Sequence, residues 1–174
     1  FLWEDGDGVR ALAQFERALA IDPELPLIYR YMGLIHSAAG RLQEALAAFA
    51  ELATRQPADA ATRVNIGIVH SRMGDLAAAE RAFKTAVELG GAGGDAALKL
   101  GGLYVHQRRL RSAVRLMREA TLRHPQNAEL FASLGDIYRQ LGLLSAAQET
   151  GTVAVRLDPG RALWRFHLAS TYER

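Results

Sequence analysis

Five histidines, a run of closely spaced arginines and a glycine-rich segment are the residues of this 174-residue sequence from which chemistry could be built. A zinc site needs ligands clustered at helical or loop spacing, usually with a carboxylate nearby. His36 and His70 stand 34 residues apart with no carboxylate at ligand spacing, so they read as packed aromatic rings with a polar handle. His124 reads as a helix-end residue. The glycines Gly90, Gly91, Gly93 and Gly94 fall between two helical segments rather than after a strand, which makes them a flexible joint instead of a pyrophosphate cradle. The sequence has no phosphate-binding loop with its lysine, no His-Glu-x-x-His helix and no Gly-x-Ser-x-Gly elbow. The expectation is a chain that is not an enzyme, with no metal, no cofactor and no small-molecule substrate.

The arginines are Arg108, Arg109, Arg111, Arg115, Arg118 and Arg123, of which Arg111, Arg115 and Arg118 share one helical face as i, i+4 and i+7. Such a basic stripe could meet anionic lipid, nucleic acid or an acidic partner, or be an ordinary solvated face. No aromatic residues interleave with it as single-strand binding would favour, and the whole chain balances 21 Lys+Arg against 19 Asp+Glu, so nucleic acid and membrane are disfavoured. The charge is uneven: residues 1–59 carry 5 basic and 9 acidic groups, residues 60–127 carry 11 and 5, and residues 128–174 carry 5 and 5. Cysteine is absent, which removes disulfides and thiolate chemistry and leaves cytoplasm and periplasm equally open. Phe1 to Asp7 include neither an initiator Met nor a signal-like segment, so the chain reads as an excerpt of a longer or processed protein. Its rich Ala, Arg and Gly usage suggests a bacterial source.

The elements that must position these groups repeat. Gly33, Gly67, Gly101 and Gly135 are spaced by 34 residues, as are Leu42, Leu76, Leu110 and Leu144, and Ala11, Ala45, Ala79, Ala113 and Ala147. Phe15, Phe49, Phe83 and Met117 form a column of bulky fillers, which Gly151 interrupts. Small residues let neighbouring helices approach, and the fillers occupy the space that remains. Pro23, Pro57, Pro125 and Pro159 end helices because proline lacks the N–H and restricts the residue before it; Gly91 replaces the proline once. Asp59 and Asn127 can cap the helices that follow. Gly40, Gly74 and Gly142 stand at the bend inside each unit, where left-handed backbone is needed, and Arg108 takes that place once at a small cost.

With Leu134, Gly135, Tyr138, Ala147 and Pro159 showing the pattern well, the chain resembles the tetratricopeptide repeat family, although His36 and His70 stand where that family has Tyr. The resemblance implies an all-α solenoid, a right-handed superhelix of antiparallel helix hairpins with about ten helices. It covers a single domain, 1–174: a half repeat (5–22), complete repeats 26–59, 60–93, 94–127 and 128–161, and the first helix of a further repeat (162–174). Neither end has a polar cap, so further repeats in the parent protein or self-association through the ends are expected.

In this family the first helix of each hairpin lines a concave groove that holds an extended peptide. The resemblance implies a non-catalytic scaffold for a protein or peptide partner, with Arg30, Asn65, Arg72, Lys99, His106, Asp136 and Arg139 in the groove and His167 on the same side. Arg30, Asn65 and Lys99 match three of five positions by which some members clamp a terminal carboxylate; Leu34 and Asp95 replace the others, and Asp95 would offset Lys99, which argues against a full clamp. Two other readings stay open: the repeat region of a larger enzyme of glycosyltransferase or sulfotransferase type, and a self-assembling repeat scaffold.

Overall fold

Prolines and glycines mark the helix boundaries. The described residues, 5–90 and 92–172 of this computed structural model, hold ten α-helices, one 3-10 turn and no strand. Phe1 and the proline-column Gly91 lie outside them. The chain divides into two compact units, Phe1–Leu89 and Gly90–Arg174. The first contains α1 (Asp5–Ile21), α2 (Pro26–Ala38), α3 (Leu42–Arg55), α4 (Ala60–Arg72) and α5 (Leu76–Glu88). The second contains α6 (Asp95–His106), α7 (Leu110–Arg123), α8 (Ala128–Gln140), α9 (Leu144–Leu157) and α10 (Ala162–Ala169). Within each unit every helix packs against its neighbours in the chain, which is the all-α hairpin solenoid that the columns imply. No helix among the described residues is long and apolar enough to cross a membrane.

The bends share one construction. After α2, Gly40 N–H donates to the Ser37 carbonyl (3.1 Å) and Arg41 N–H to the His36 carbonyl (2.9 Å). The same pair recurs as Gly74 to Ser71 and Asp75 to His70, and as Gly142 to Arg139 and Leu143 to Tyr138. In each the glycine has left-handed backbone, φ between 74° and 81°. Arg108 occupies the equivalent place before α7 with φ 60°, its N–H bonded to the Val105 carbonyl at 3.0 Å. Its Cβ makes this conformation unfavourable by about 1 kcal/mol. The next hairpin is then started by a side-chain cap: Asp59 Oδ1 accepts from Ala61 N–H (3.2 Å), and Asn127 Oδ1 from Glu129 N–H (2.9 Å) and Leu130 N–H (3.2 Å).

The small-residue columns do what their size suggests. Ala45, Ala79, Ala113 and Ala147 are fully buried, and a Cβ added at Gly33 would meet the Phe49 ring at 2.5 Å. A Cβ at Gly67 would meet the Phe83 ring at the same distance, and at Gly101 it would overlap the Met117 methyl. In unit 128–161 this arrangement changes. Gly151 occupies the filler position, Leu168 leans to within 3.2 Å of where its Cβ would be, and the nearest atom to a Cβ on Gly135 is Thr150 Oγ1 at 3.0 Å.

Candidate partner-binding site

The donors expected on the first helices are not equally free. Arg30 on α2 pairs with Asp59 Oδ2 at 2.9 Å, and Arg72 at the end of α4 donates to both the carbonyl and the hydroxyl of Ser37 on α2. Each guanidinium thus clasps one hairpin to the next. Asn65 is half-buried on α4, with no side-chain hydrogen bond among the described residues. His36 Nδ1 accepts from Arg41 Nε at 2.9 Å; burial and then the Arg41 charge hold its pKa below the ordinary 6.5. The ring is partly buried and its polar handle is engaged, as its position suggests.

In the second unit Lys99 lies 3.9 Å from Asp95, both exposed, and His106 is exposed at the last residue of α6. Asp136 and Arg139 come together with His167. Asp136 Oδ1 is 3.5 Å from Arg139 Nη2, and Asp136 Oδ2 is 2.9 Å from His167 Nδ1, an ion-pair distance that joins α8 to α10. The His167 nitrogen lies off the line that a donated hydrogen bond needs, so this contact is electrostatic rather than an aligned hydrogen bond.

Two depressions border Asp136. One is an open cleft of about 230 Å³ between α6 and α8, with Leu98, Gly102 and Val105 on one wall and Ser133, Asp136, Ile137 and Gln140 on the other. The repeat explains it, because the positions 34 residues before and after Gly102 hold Ile68 and Asp136, whereas Gly102 has no side chain and nothing within 4 Å of where a Cβ would stand. The other is a recess of about 10 Å³ between α8, α9 and α10, room for one water. Its walls include Gly135, Gly151, Ala154, Asp136, Arg139, Trp164 and His167. It exists because Gly151 replaces a filler and because Thr171 follows Ile35, Val69, Leu103 and Ile137 in its column.

Trp164, 6% exposed, lines this recess, and its buried Nε1 has no acceptor among the described residues. The Nε atom of Arg139 is likewise buried without one. An unmade hydrogen bond on a buried donor costs about 1–3 kcal/mol, and the recess has room for one water to offset it. Leu98, Gly102, Val105, Gln140 and Trp164 were not among the expected site residues. The signal for Gly102 was its lack of a side chain in a column of larger residues; Trp164 falls in the column of Ile28, Thr62, Ala96 and Leu130 and so reads as core alone. Among the described residues no group of three or more His, Asp and Glu could hold a metal ion.

Models of the tetratricopeptide repeat match residues 24–90 and 71–137, and so together span 24–137. The chain belongs to the tetratricopeptide repeat family. Among solved structures it is similar to YrrB, described as a tetratricopeptide repeat protein with an unusual peptide-binding site, at 22% identity and a TM-score of 0.68 over 91% of this chain and 81% of that one. MamA is similar at 20% identity and a TM-score of 0.75, over 90% and 92%. The C-terminal part of a repeat-containing protein from Cytophaga hutchinsonii gives 15% identity and 0.80, over 95% and 65%. At these identities the likeness is one of fold. No curated protein matches in sequence. Tetratricopeptide repeats thus supply the scaffold, and the cleft and recess are what this chain's own residues add to it.

Proposed function

We propose that this chain is a non-catalytic scaffold that binds an extended segment of a protein partner in the second unit, across the cleft between α6 and α8 and toward the recess beside Trp164. The observation that carries this reading is the bare helix surface at Gly102, which opens a cleft with one apolar and one largely polar wall directly beside the Asp136, Arg139 and His167 cluster. The wall of Leu98, Gly102 and Val105 suits an aliphatic side chain, and Ser133 and Gln140 opposite suit a backbone amide. Asp136 can accept a backbone N–H of the bound segment, and the partly exposed Arg139 can donate to a carbonyl or carboxylate oxygen. Lys99 and His106 supply further polar contacts along the same unit. Arg30 and Arg72, engaged by Asp59 and Ser37, serve mainly to hold their hairpins together. YrrB, with its peptide-binding site, supports the idea that the fold can serve this use.

The test begins with a random peptide display selection on the wild-type chain and then compares the recovered peptide on variants by calorimetry. Gly102→Leu places a side chain in the cleft without touching the core, and should weaken binding at least about tenfold, or 1.4 kcal/mol, while leaving stability equal to or above wild type. Asp136→Ala should weaken it by a similar factor. Undiminished affinity in both variants would remove the cleft from the site.

A further inference from the structure

The four second helices with complete repeat equivalents can be compared position by position along their outward faces. On α7 the row reads Arg111, Arg115, Arg118, Leu122; on α3 it reads Gln43, Ala47, Ala50, Thr54; on α5, Ala77, Arg81, Lys84, Glu88; on α9, Ser145, Glu149, Thr152, Arg156. Only α7 has cations at the first three places, and all three are exposed with no carboxylate within ion-pair distance among the described residues. Arg123 alone on this helix is paired, with Glu119. Like charges one helical turn apart repel, and a cation in the first turn opposes the helix dipole, so the row is unfavourable for the isolated helix. Leu122 closes the row. It is 82% exposed at the place where the other three helices carry Thr54, Glu88 and Arg156.

We propose that this row is a docking surface for an acidic amphipathic helix of a partner protein, which sets three carboxylates against Arg111, Arg115 and Arg118 and an apolar side chain against Leu122. The spacing 4-3-4 is that of a heptad seam, the pattern that keeps two helices in register along their length. It runs for about 16 Å along α7 at the rise of a helix. Opposed dipoles favour an antiparallel partner, whose sequence then reads apolar first and three carboxylates after. Arginine suits such a seam because its planar fork takes a carboxylate with two hydrogen bonds. A flat anionic bilayer fits less well: lying across the outer face, it would also meet Glu149 on α9, whereas a helix aligned with α7 meets only the row and its flank, where Glu119 is already paired with Arg123.

The probe is a synthetic helical peptide carrying Leu, Glu, Glu and Glu at the 4-3-4 spacing, compared by fluorescence anisotropy with a peptide of the same composition and scrambled spacing. Vesicles of mixed phosphatidylcholine and phosphatidylserine form a third arm. The patterned peptide should bind at least about tenfold tighter than the scrambled one, and R115E/R118E should abolish the difference. Raising the salt roughly tenfold should weaken binding as well, since the charges are exposed. Leu122→Ser should weaken binding about fivefold at both salt concentrations. Gly102→Leu should leave it unchanged, which separates this surface from the cleft. Equal binding of the two peptides, no binding of the patterned one, capture by vesicles in its place, or indifference to R115E/R118E in a variant with native helicity would each overturn the proposal.

Discussion

Gly67→Ala and Gly102→Ala make the same chemical change in the interior of two helices, and they should move stability in opposite directions. In both, a helical glycine becomes the best helix former, worth about 0.8–1.0 kcal/mol. At Gly102 nothing lies within 4 Å of the new methyl, so this gain should appear almost whole. At Gly67 the methyl would stand 2.5 Å from Phe83 Cε1 and 2.6 Å from Cδ1, and Phe83 is itself buried. An ordinary carbon contact is about 3.5–4.0 Å, so the buried ring must give way by about 1 Å in a close-packed interior. Overpacking of this kind costs about 1–3 kcal/mol. Gly67→Ala should therefore destabilise by about 0–2 kcal/mol, and the two variants should differ by the packing cost, about 1–3 kcal/mol. Urea unfolding followed by far-ultraviolet circular dichroism gives both midpoints on chains of equal length, which matters because repeat arrays unfold as coupled neighbours. Adding Phe83→Leu should cost less in Gly67→Ala than in the wild type, with a coupling of about 1 kcal/mol. Midpoints that rise equally in the two single variants would refute the claim that the Gly67 column marks close approach.

Arg108→Gly should stabilise the chain by about 1 kcal/mol in the same unfolding assay, because it relieves a left-handed backbone at φ 60° that glycine adopts at the other three bends. Asp59→Ala removes the cap on Ala61 N–H and the ion pair with Arg30 together and should cost about 2 kcal/mol, whereas Asp59→Asn keeps the cap and should cost about half of that. Because the folded pKa of His36 is depressed below 6.5, the unfolded chain takes up the proton first. Stability from this group is complete above pH 6.5 and falls as the pH drops through 6.5 toward the folded value, and His36→Gln should flatten the slope measured between pH 5 and 7. Gly151→Ala brings a methyl to 3.2 Å from the flexible end of Leu168 and fills part of the recess; unfolding in urea should place its stability within about 1 kcal/mol of wild type.

The fold was legible because its information is local and repeated. A 34-residue column samples one environment several times, so a residue too small or too polar for that environment stands out, and the glycine–filler contacts at Gly33 and Gly67 follow from size alone. The site was less legible, for two physical reasons. Helix register assigns a face but not a partner: Arg30 and Arg72 have the right face, yet reach Asp59 and Ser37 on neighbouring elements. The recess, in turn, is a joint property of Gly151, Thr171 and Trp164, which belong to three different columns and meet only through the contacts of α8, α9 and α10. Asp136, Arg139 and His167 were visible as polar first-helix residues, but not as one cluster.

The empty column position at Gly102 also bears on any attempt to improve this chain by design. An idealised array that gives every repeat the commonest residue at each of its 34 positions would put a side chain there, restore a bulky ring at Gly151 and replace Leu122 by something polar. Such an array would resist heat and denaturant better than the natural chain. It would also be interchangeable from one repeat to the next, and so would have no means of telling one binding partner from another.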